Sequence, residues 1–330
     1  MARPLRLIKD WNGYVESNGE HAFDVDEDGW PDVISGSYLP TKINWYRNPG
    51  KEGLAYGQLW EERLLVDTEL SANETTFLRD LNGDGKPEWI TNSWQGKNPV
   101  VAWELTKGLE GDKGTEVDGS SITAIPHRIG LSGNTHGMGF GDINNDGLED
   151  ILIATGWYER PAGEALNQVW KFHPDWEDLH ASCPMLVRDL DGDGKNDLVW
   201  GRGHDYGLYW WRAKGEKDGK LEFEQIEIDA QYSQVHTLHF ADLDGDGTDE
   251  LITGKRVRAH NGGDPGGKER PCMYFYRWNM SEAKFERFPI EEGHVGTGLQ
   301  IRTADLNNDG KLDIAVAGKD GTWILFQKSQ

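Results

Sequence analysis

The chain has 330 residues, with 34 lysines and arginines against 57 aspartates and glutamates, a formal charge of −23. That acidity disfavours binding to a nucleic-acid backbone, and two cysteines, Cys183 and Cys272, are too few for a disulfide framework and read as buried free thiols. No apolar run approaches ~18 residues, so no membrane span is expected. Met1–Asp10 lacks a signal-peptide core, which leaves a cytosolic chain or a trimmed leader.

Read in order, the chain repeats one device six times. A short apolar segment, Leu5–Ile8, is followed by Asp24, Asp26, Asp28 and Asp32, at positions 1, 3, 5 and 9 of a loop with Gly29 at position 6. The frame returns as Asp80, Asn82, Asp84 and Glu88, and then as Asp142, Asn144, Asp146 and Asp150. It returns again as Asp189, Asp191, Asp193 and Asp197, as Asp242, Asp244, Asp246 and Glu250, and last as Asp305, Asn307, Asp309 and Asp313. Odd positions converge side-chain oxygens on one point while glycine makes the sharp turn, the spacing of a short EF-hand-like loop. Oxygen ligands suit a hard cation, Ca²⁺ before Mg²⁺. These positions hold 21 carboxylates, most of the acidic excess. Filling all six loops would bring the charge to about −11. Weak calcium loops fill where calcium is millimolar, so a secreted or periplasmic location is expected.

The loops start 56, 62, 47, 53 and 63 residues apart, the period of propeller blades. Each unit reads as four strands: A before the loop, B after it, an aromatic C such as Leu208–Trp211, and D. The third unit is the least regular, with Trp157-Tyr158 and Val169–Phe172 as its C and D strands. The last unit ends on its C strand at Phe326, and Leu5–Ile8 matches the missing D strand. The expectation is an all-β, six-bladed propeller over 1–330 as one domain, closed by that N-terminal strand, with seven blades as the alternative and almost no helix. Most of the 15 tryptophans are assigned to the wedge between sheets.

Topology then places the chemistry. The A-strand starts and B-strand ends lie on the face opposite the loops, around the channel. The A strands carry Asn18, Glu74, His136, Cys183, His236 and Leu299 there. The B ends carry Tyr38, Trp94, Trp157, Tyr158, Arg202, His204, Lys255, Arg256, His260 and Lys319, followed by the Gly-rich loop Asn261–Gly267. We assign a candidate centre to His136, His204, His236 and His260, as general base or as ligands of a transition metal such as Zn²⁺. Arg202 and Arg256 would hold a carboxylate or stabilise an enolate, Lys255 would add a point charge, and Tyr158 would donate a proton or form a sugar platform. The competing reading separates these histidines by blade walls, each bonded locally. His21, His127, His173, His180 and His294 read as structural or exposed, and His239, of opposite parity to His236, as packing between blades.

The loops resemble FG-GAP/VCBS repeats, the calcium-binding propeller repeats of integrin α-chains and many bacterial secreted proteins. A narrower likeness rests on His136–Asp142, on His204–Trp211, and on Gly254-Lys255-Arg256 with Ala259–Gly262. These stretches resemble the propeller domain of aldos-2-ulose (anhydrofructose) dehydratases, metal-dependent enzymes that eliminate water from oxidised sugars and carry cupin domains this chain lacks. The resemblance implies a carbon–oxygen lyase or dehydratase on a keto-sugar or uronic-acid glycan. A non-catalytic module that binds a sugar or a partner protein is the alternative, and a purely structural propeller is a third.

Overall fold

The computed structural model describes residues 8–9, 19–36, 38, 40–107, 122–132, 136–176 and 180–328, apart from the side chains of Glu74 and Asn92. The chain divides into two compact units, Met1–Thr135 with Gly163–Trp170, and His136–Ala162 with Lys171–Gln330.

The first unit holds two four-stranded antiparallel sheets in sequence order. One comprises Gly19–Phe23, Asp32–Gly36, Lys42–Arg47 and Glu61–Asp67, and the other Asn73–Arg79, Glu88–Ser93, Val100–Lys107 and Ile122–Gly130. Alternation decides which side chains go inside: Asp32, Ile34 and Gly36 are buried while Val33 and Ser35 between them are only half-buried. Ile34, Ile43, Trp45, Leu65, Trp89 and Val101 form the core, with the indoles of Trp45 and Trp89 fully enclosed. That is the wedge-filling role expected of tryptophan. Among the described residues, helix is confined to Gly50–Tyr56, ended by Gly57 in the left-handed conformation, and two 3₁₀ turns elsewhere. Of the proposed closing strand, Leu5–Leu7 lie outside the described residues, and the Ile8 carbonyl accepts the Trp60 N–H at 3.1 Å.

The second unit holds the remaining repeats. Met138–Gly141, Asp150–Ile153, Gly156–Glu159 and Lys171–His173 form the third, whose D strand is only three residues long. Met185–Arg188, Asp197–Gly201, Tyr206–Lys217 and Lys220–Ser233 form the fourth. Leu238–Ala241, Glu250–Gly254, Cys272–Asn279 and Lys284–Glu292 form the fifth, and Ile301–Ala304, Asp313–Gly318 and Gly321–Leu325 the three-stranded last. The third and fourth sheets merge through a parallel pairing of Met185 with Gly139 and Leu186 with Phe140. Gly139 permits it, since a Cβ there would lie 2.3 Å from the Met185 carbonyl oxygen. Cys183 and Cys272 are buried free thiols.

Every A–B turn is built alike. The position-6 glycine N–H donates to the position-1 carboxylate in all six copies, from Gly29 to Asp24 at 2.8 Å through Gly310 to Asp305 at 2.9 Å. Those glycines have φ between 83° and 91°, which explains the fixed glycine in the spacing. The position-9 carboxylate is buried and accepts the position-2 N–H in every copy, as Asp150 does from Ile143 at 3.1 Å and Glu250 from Leu243 at 2.8 Å. It ties the turn to the start of strand B.

Candidate functional site

The second unit brings four histidines together. His136 and His236 stand two residues before their A strands, His204 lies in the B–C turn after Asp197–Gly201, and His260 sits in the 3₁₀ turn Ala259–Gly262. The Nε2 atoms of His136 and His204 are 2.8 Å apart, and those of His136 and His236 are 3.2 Å apart. His136 is 2 % exposed and His236 0 %. The His260 ring stacks on His204 at 4.5 Å between centroids, and its side chain is 63 % exposed. Gly203 makes room, because a Cβ there would stand 2.8 Å from His136 Cε1.

The outer nitrogens decide the tautomers. His136 Nδ1 lies 2.6 Å from the Ala181 carbonyl oxygen, which can only accept, so Nδ1 carries the hydrogen and Nε2 the lone pair. His204 Nδ1 lies 3.1 Å from Asp264 Oδ2, and the same logic leaves its Nε2 bare. Two lone pairs thus face each other at 2.8 Å, an arrangement that calls for a shared cation. Burial lowers the pKa of His204, opposed by its hydrogen bond to Asp264, and burial also holds His236 well below the usual imidazole value. The three imidazoles of His136, His204 and His236 offer donor atoms within 4.8 Å of one another, a set of groups that could hold a divalent transition metal.

Asp264 organises the outer layer. Its Oδ2 accepts from Gln234 Nε2 at 2.9 Å, and its Oδ1 takes the His260 Nδ1 hydrogen at 2.8 Å. Burial pushes its pKa up, but hydrogen bonds from His260, His204 and Gln234 win and hold it at about 2. Lys255, 1 % exposed, donates to Gln234 Oε1 at 2.5 Å and to Ser233 Oγ at 3.4 Å. Sequence reasoning missed Asp264 and Gln234. The signal available for Asp264 was its place in the Gly-rich loop, and for Gln234 its position two residues before His236.

Other predicted residues fall elsewhere. Tyr158 is not brought to the cluster: it is 1 % exposed, in strand Gly156–Glu159, with its ring against Phe172. Arg202 lies over the Tyr209 ring, with Nη1 3.5 Å from Asp205 Oδ2. Trp157 stacks on His173, and Lys319 donates to the Arg258 carbonyl. Tyr38 and Trp94 belong to the first unit, Asn18 lies outside the described residues, and so does the Glu74 side chain. His21, His127 and His294 have local partners in Thr76, Glu104 and Glu291, and His239 bonds Thr303 of the next sheet.

The acidic loops bring their carboxylates together in groups. Carboxylate oxygens of Asp24, Asp26 and Asp32, of Asp189, Asp191 and Asp197, and of Asp242, Asp244 and Asp246 gather within 4.8 Å in each group. In these same three loops a strand-C arginine supplies positive charge. Arg47 reaches Asp26 and Asp28, Arg212 reaches Asp191, and Arg277 reaches Asp244 and Glu250. Burial, with like charges nearby, raises Asp32 to about 6 and Glu88 and Asp150 to about 7. The oxygen-only side chains of these loops are of the kind that could hold a hard cation.

Comparison with known proteins places the chain. No curated protein matches it. An Agrocybe aegerita lectin, whose structure concerns recognition of non-reducing terminal N-acetylglucosamine, is similar at 14 % identity and TM-score 0.48, over 92 % of this chain and 76 % of the lectin. The V. cholerae biofilm matrix protein Bap1 is similar at 16 % identity and TM-score 0.41, over 88 % of this chain and 42 % of Bap1. FG-GAP-like repeats match residues 24–91, 80–153 and 189–253. These matches span more than half of the chain, and the protein belongs to the FG-GAP-like repeat family of β-propellers.

Proposed function

We propose that this propeller is a metal-dependent, carbohydrate-active protein, and that its centre performs carbon–oxygen elimination on a keto-sugar or uronic-acid-containing glycan. The single observation carrying the reading is the 2.8 Å approach of two Nε2 atoms whose partner nitrogens are both committed as donors. His136, His204 and His236 would hold Zn²⁺ or another divalent transition metal, which when bound supplies Lewis-acid stabilisation of enolate charge. His260 is the candidate base. Asp264 fixes its Nδ1 hydrogen and leaves a lone pair on the more exposed side of the cluster. It would take the proton next to the carbonyl or carboxylate as the carbon–oxygen bond opens. The same proton, handed on by the His260 imidazolium, would leave with the departing oxygen, so the C–H and C–O bonds are exchanged for a C=C bond and a hydroxyl leaving group. Arg256 and Lys255 contribute positive charge beside the reacting carbons.

Two structural proposals accompany it. The acidic loops bind Ca²⁺ and hold the A–B turns, which fits a secreted or periplasmic protein. The six repeats form six blades, with Leu5–Ile8 completing the last, and a chain lacking residues 1–10 that keeps its melting temperature would argue against that closure. A non-catalytic carbohydrate- or protein-binding module is the second reading. It is favoured by Trp94, which is 41 % exposed at the end of Glu88–Ser93, since an exposed indole makes a sugar platform.

The deciding assay incubates the protein with 1,5-anhydrofructose, 3-keto-glycosides and acidic oligosaccharides and follows ultraviolet absorbance from a conjugated product. Absorbance that rises with wild type and not with His136→Ala or His260→Ala supports elimination. Binding of these sugars without any absorbance change selects the binding module.

A further inference from the structure

On either side of His260 in the chain, Lys255–Arg258, Asn261-Gly262, Gly267–Glu269 and Pro271 line a cavity of about 420 Å³. Its charge is the reverse of the chain's. Lys255, Arg256, Arg258 and Lys268 line it against one carboxylate, Glu269, in a protein where acidic residues outnumber basic ones by 57 to 34. Glu269 is also engaged, accepting from the Tyr206 hydroxyl at 2.5 Å. The innermost cation, Lys255, is buried, and among the described residues its hydrogen bonds go only to the neutral oxygens of Ser233 and Gln234. Burying an ammonium without a carboxylate partner is costly, and an incoming anion offsets that cost.

The backbone holds the arrangement under strain. Arg258, His260 and Asn261 have φ of 50°, 46° and 55°, the left-handed region that non-glycine residues seldom adopt. Such conformations persist where the surroundings enforce them, and they gather at ligand sites. Here the strained turn sets Arg258 and Asn261 in the cavity wall and His260 against Asp264. Lys255, Gln234, Asp264 and His204 then form one hydrogen-bonded chain from the cavity to the imidazoles.

We infer that this cavity is an oxyanion subsite, and that the ligand of the histidine centre is an anionic sugar whose carboxylate or phosphate sits among Lys255, Arg256, Arg258 and Lys268. The inference rests on the proposed reading of the histidines as the ligand site and narrows it, from a keto-sugar or a uronic-acid glycan to a sugar that carries an anionic group. The volume suits a sugar-sized ligand. Guanidinium groups provide the paired donors that carboxylate and phosphate accept, and the lysines add point charges.

The test is calorimetric titration of the metal-replete protein with glucuronate, glucose 6-phosphate and glucose, at low and high salt. At least one of the two anionic sugars is expected to bind more tightly than glucose by about tenfold or more, the scale of one charge-assisted hydrogen bond. Its affinity should weaken as salt rises. Whichever of the two binds more tightly identifies the group as carboxylate or phosphate. Arg258→Gly suits its left-handed backbone and should weaken the anion while leaving glucose binding and metal content unchanged. Lys255→Met should weaken the anion as well. Equal binding of all three sugars, or unchanged anion affinity in Arg258→Gly, would overturn the inference. Loss of metal from the wild-type preparation would instead count against the reading of the histidines, so the two failures are distinguishable.

Discussion

At the scale of single residues, the buried carboxylate at loop position 9 is the most consequential repeated choice. Asp150 has no exposed surface and accepts the Ile143 and Arg160 backbone N–H groups at 3.1 and 2.9 Å. Asp150→Ala leaves both amides unpaired and should cost about 3 kcal/mol, since a buried unsatisfied donor costs about 1–3 kcal/mol. Urea denaturation in excess chelator measures this apart from any cation effect; an unchanged midpoint would contradict the role. His239 gives the pH prediction. Burial and then the Arg302 guanidinium lower its pKa below the ordinary 6.5, opposed by Asp249, while its Nε2 pairs with Thr303 Oγ1. The unfolded chain therefore binds a proton that the folded one refuses. Stability from this group is complete above pH 6.5 and falls as pH drops from there toward the folded pKa. The fall should be shallower in His239→Gln, and identical pH profiles would rule the effect out. Position at the start of strand A made His136 and His236 legible in the sequence, and opposite parity did so for His239. Asp264 was not, because a glycine-rich loop has no period from which to read a direction, and Gln234 was not, because it precedes its strand, where alternation gives no direction.

At the scale of elements, the A–B turn carries its own instructions. Glycine at position 6 supplies the positive φ, aspartate at position 1 gathers the turn's amides, and the position-9 acid anchors strand B. Strand alternation and turn spacing therefore exposed the repeat directly. The parallel join between Met138–Gly141 and Met185–Arg188 was not legible, because it depends on how closely two backbones approach at Gly139. Nor were Arg47, Arg212 and Arg277, whose pairing with loop carboxylates depends on the register of strand C. Those arginines divide the loops. Copies beginning at Asp24, Asp189 and Asp242 have a guanidinium within the acid cluster, so removal of calcium should cost the protein less there than at loops without one. Excess chelator is expected to lower the melting temperature, because a ligand that binds only the folded state stabilises it. Arg212→Gln should enlarge that drop. An unchanged melting temperature in chelator would remove calcium from the account.

At the scale of the whole molecule, six repeats distribute their acids over the A–B turns while the cations of the Lys255–Pro271 segment surround one cavity. The fold was legible because it repeats, and repetition averages out local ambiguity. Function was less legible, since it depends on loops that differ from copy to copy, and a fold hosts many activities. What the sequence could offer was a set of histidines at corresponding ends of strands, and in the second unit four of them meet. The most direct test of that centre is elemental analysis after calcium is stripped with a selective chelator and the protein is dialysed against equimolar Zn²⁺. Wild type is expected to retain about one transition-metal ion per chain, and His136→Ala and His204→Ala to lose it while remaining folded, as a three-imidazole site requires. Equal metal content in wild type and both variants, or none in wild type, would contradict the account.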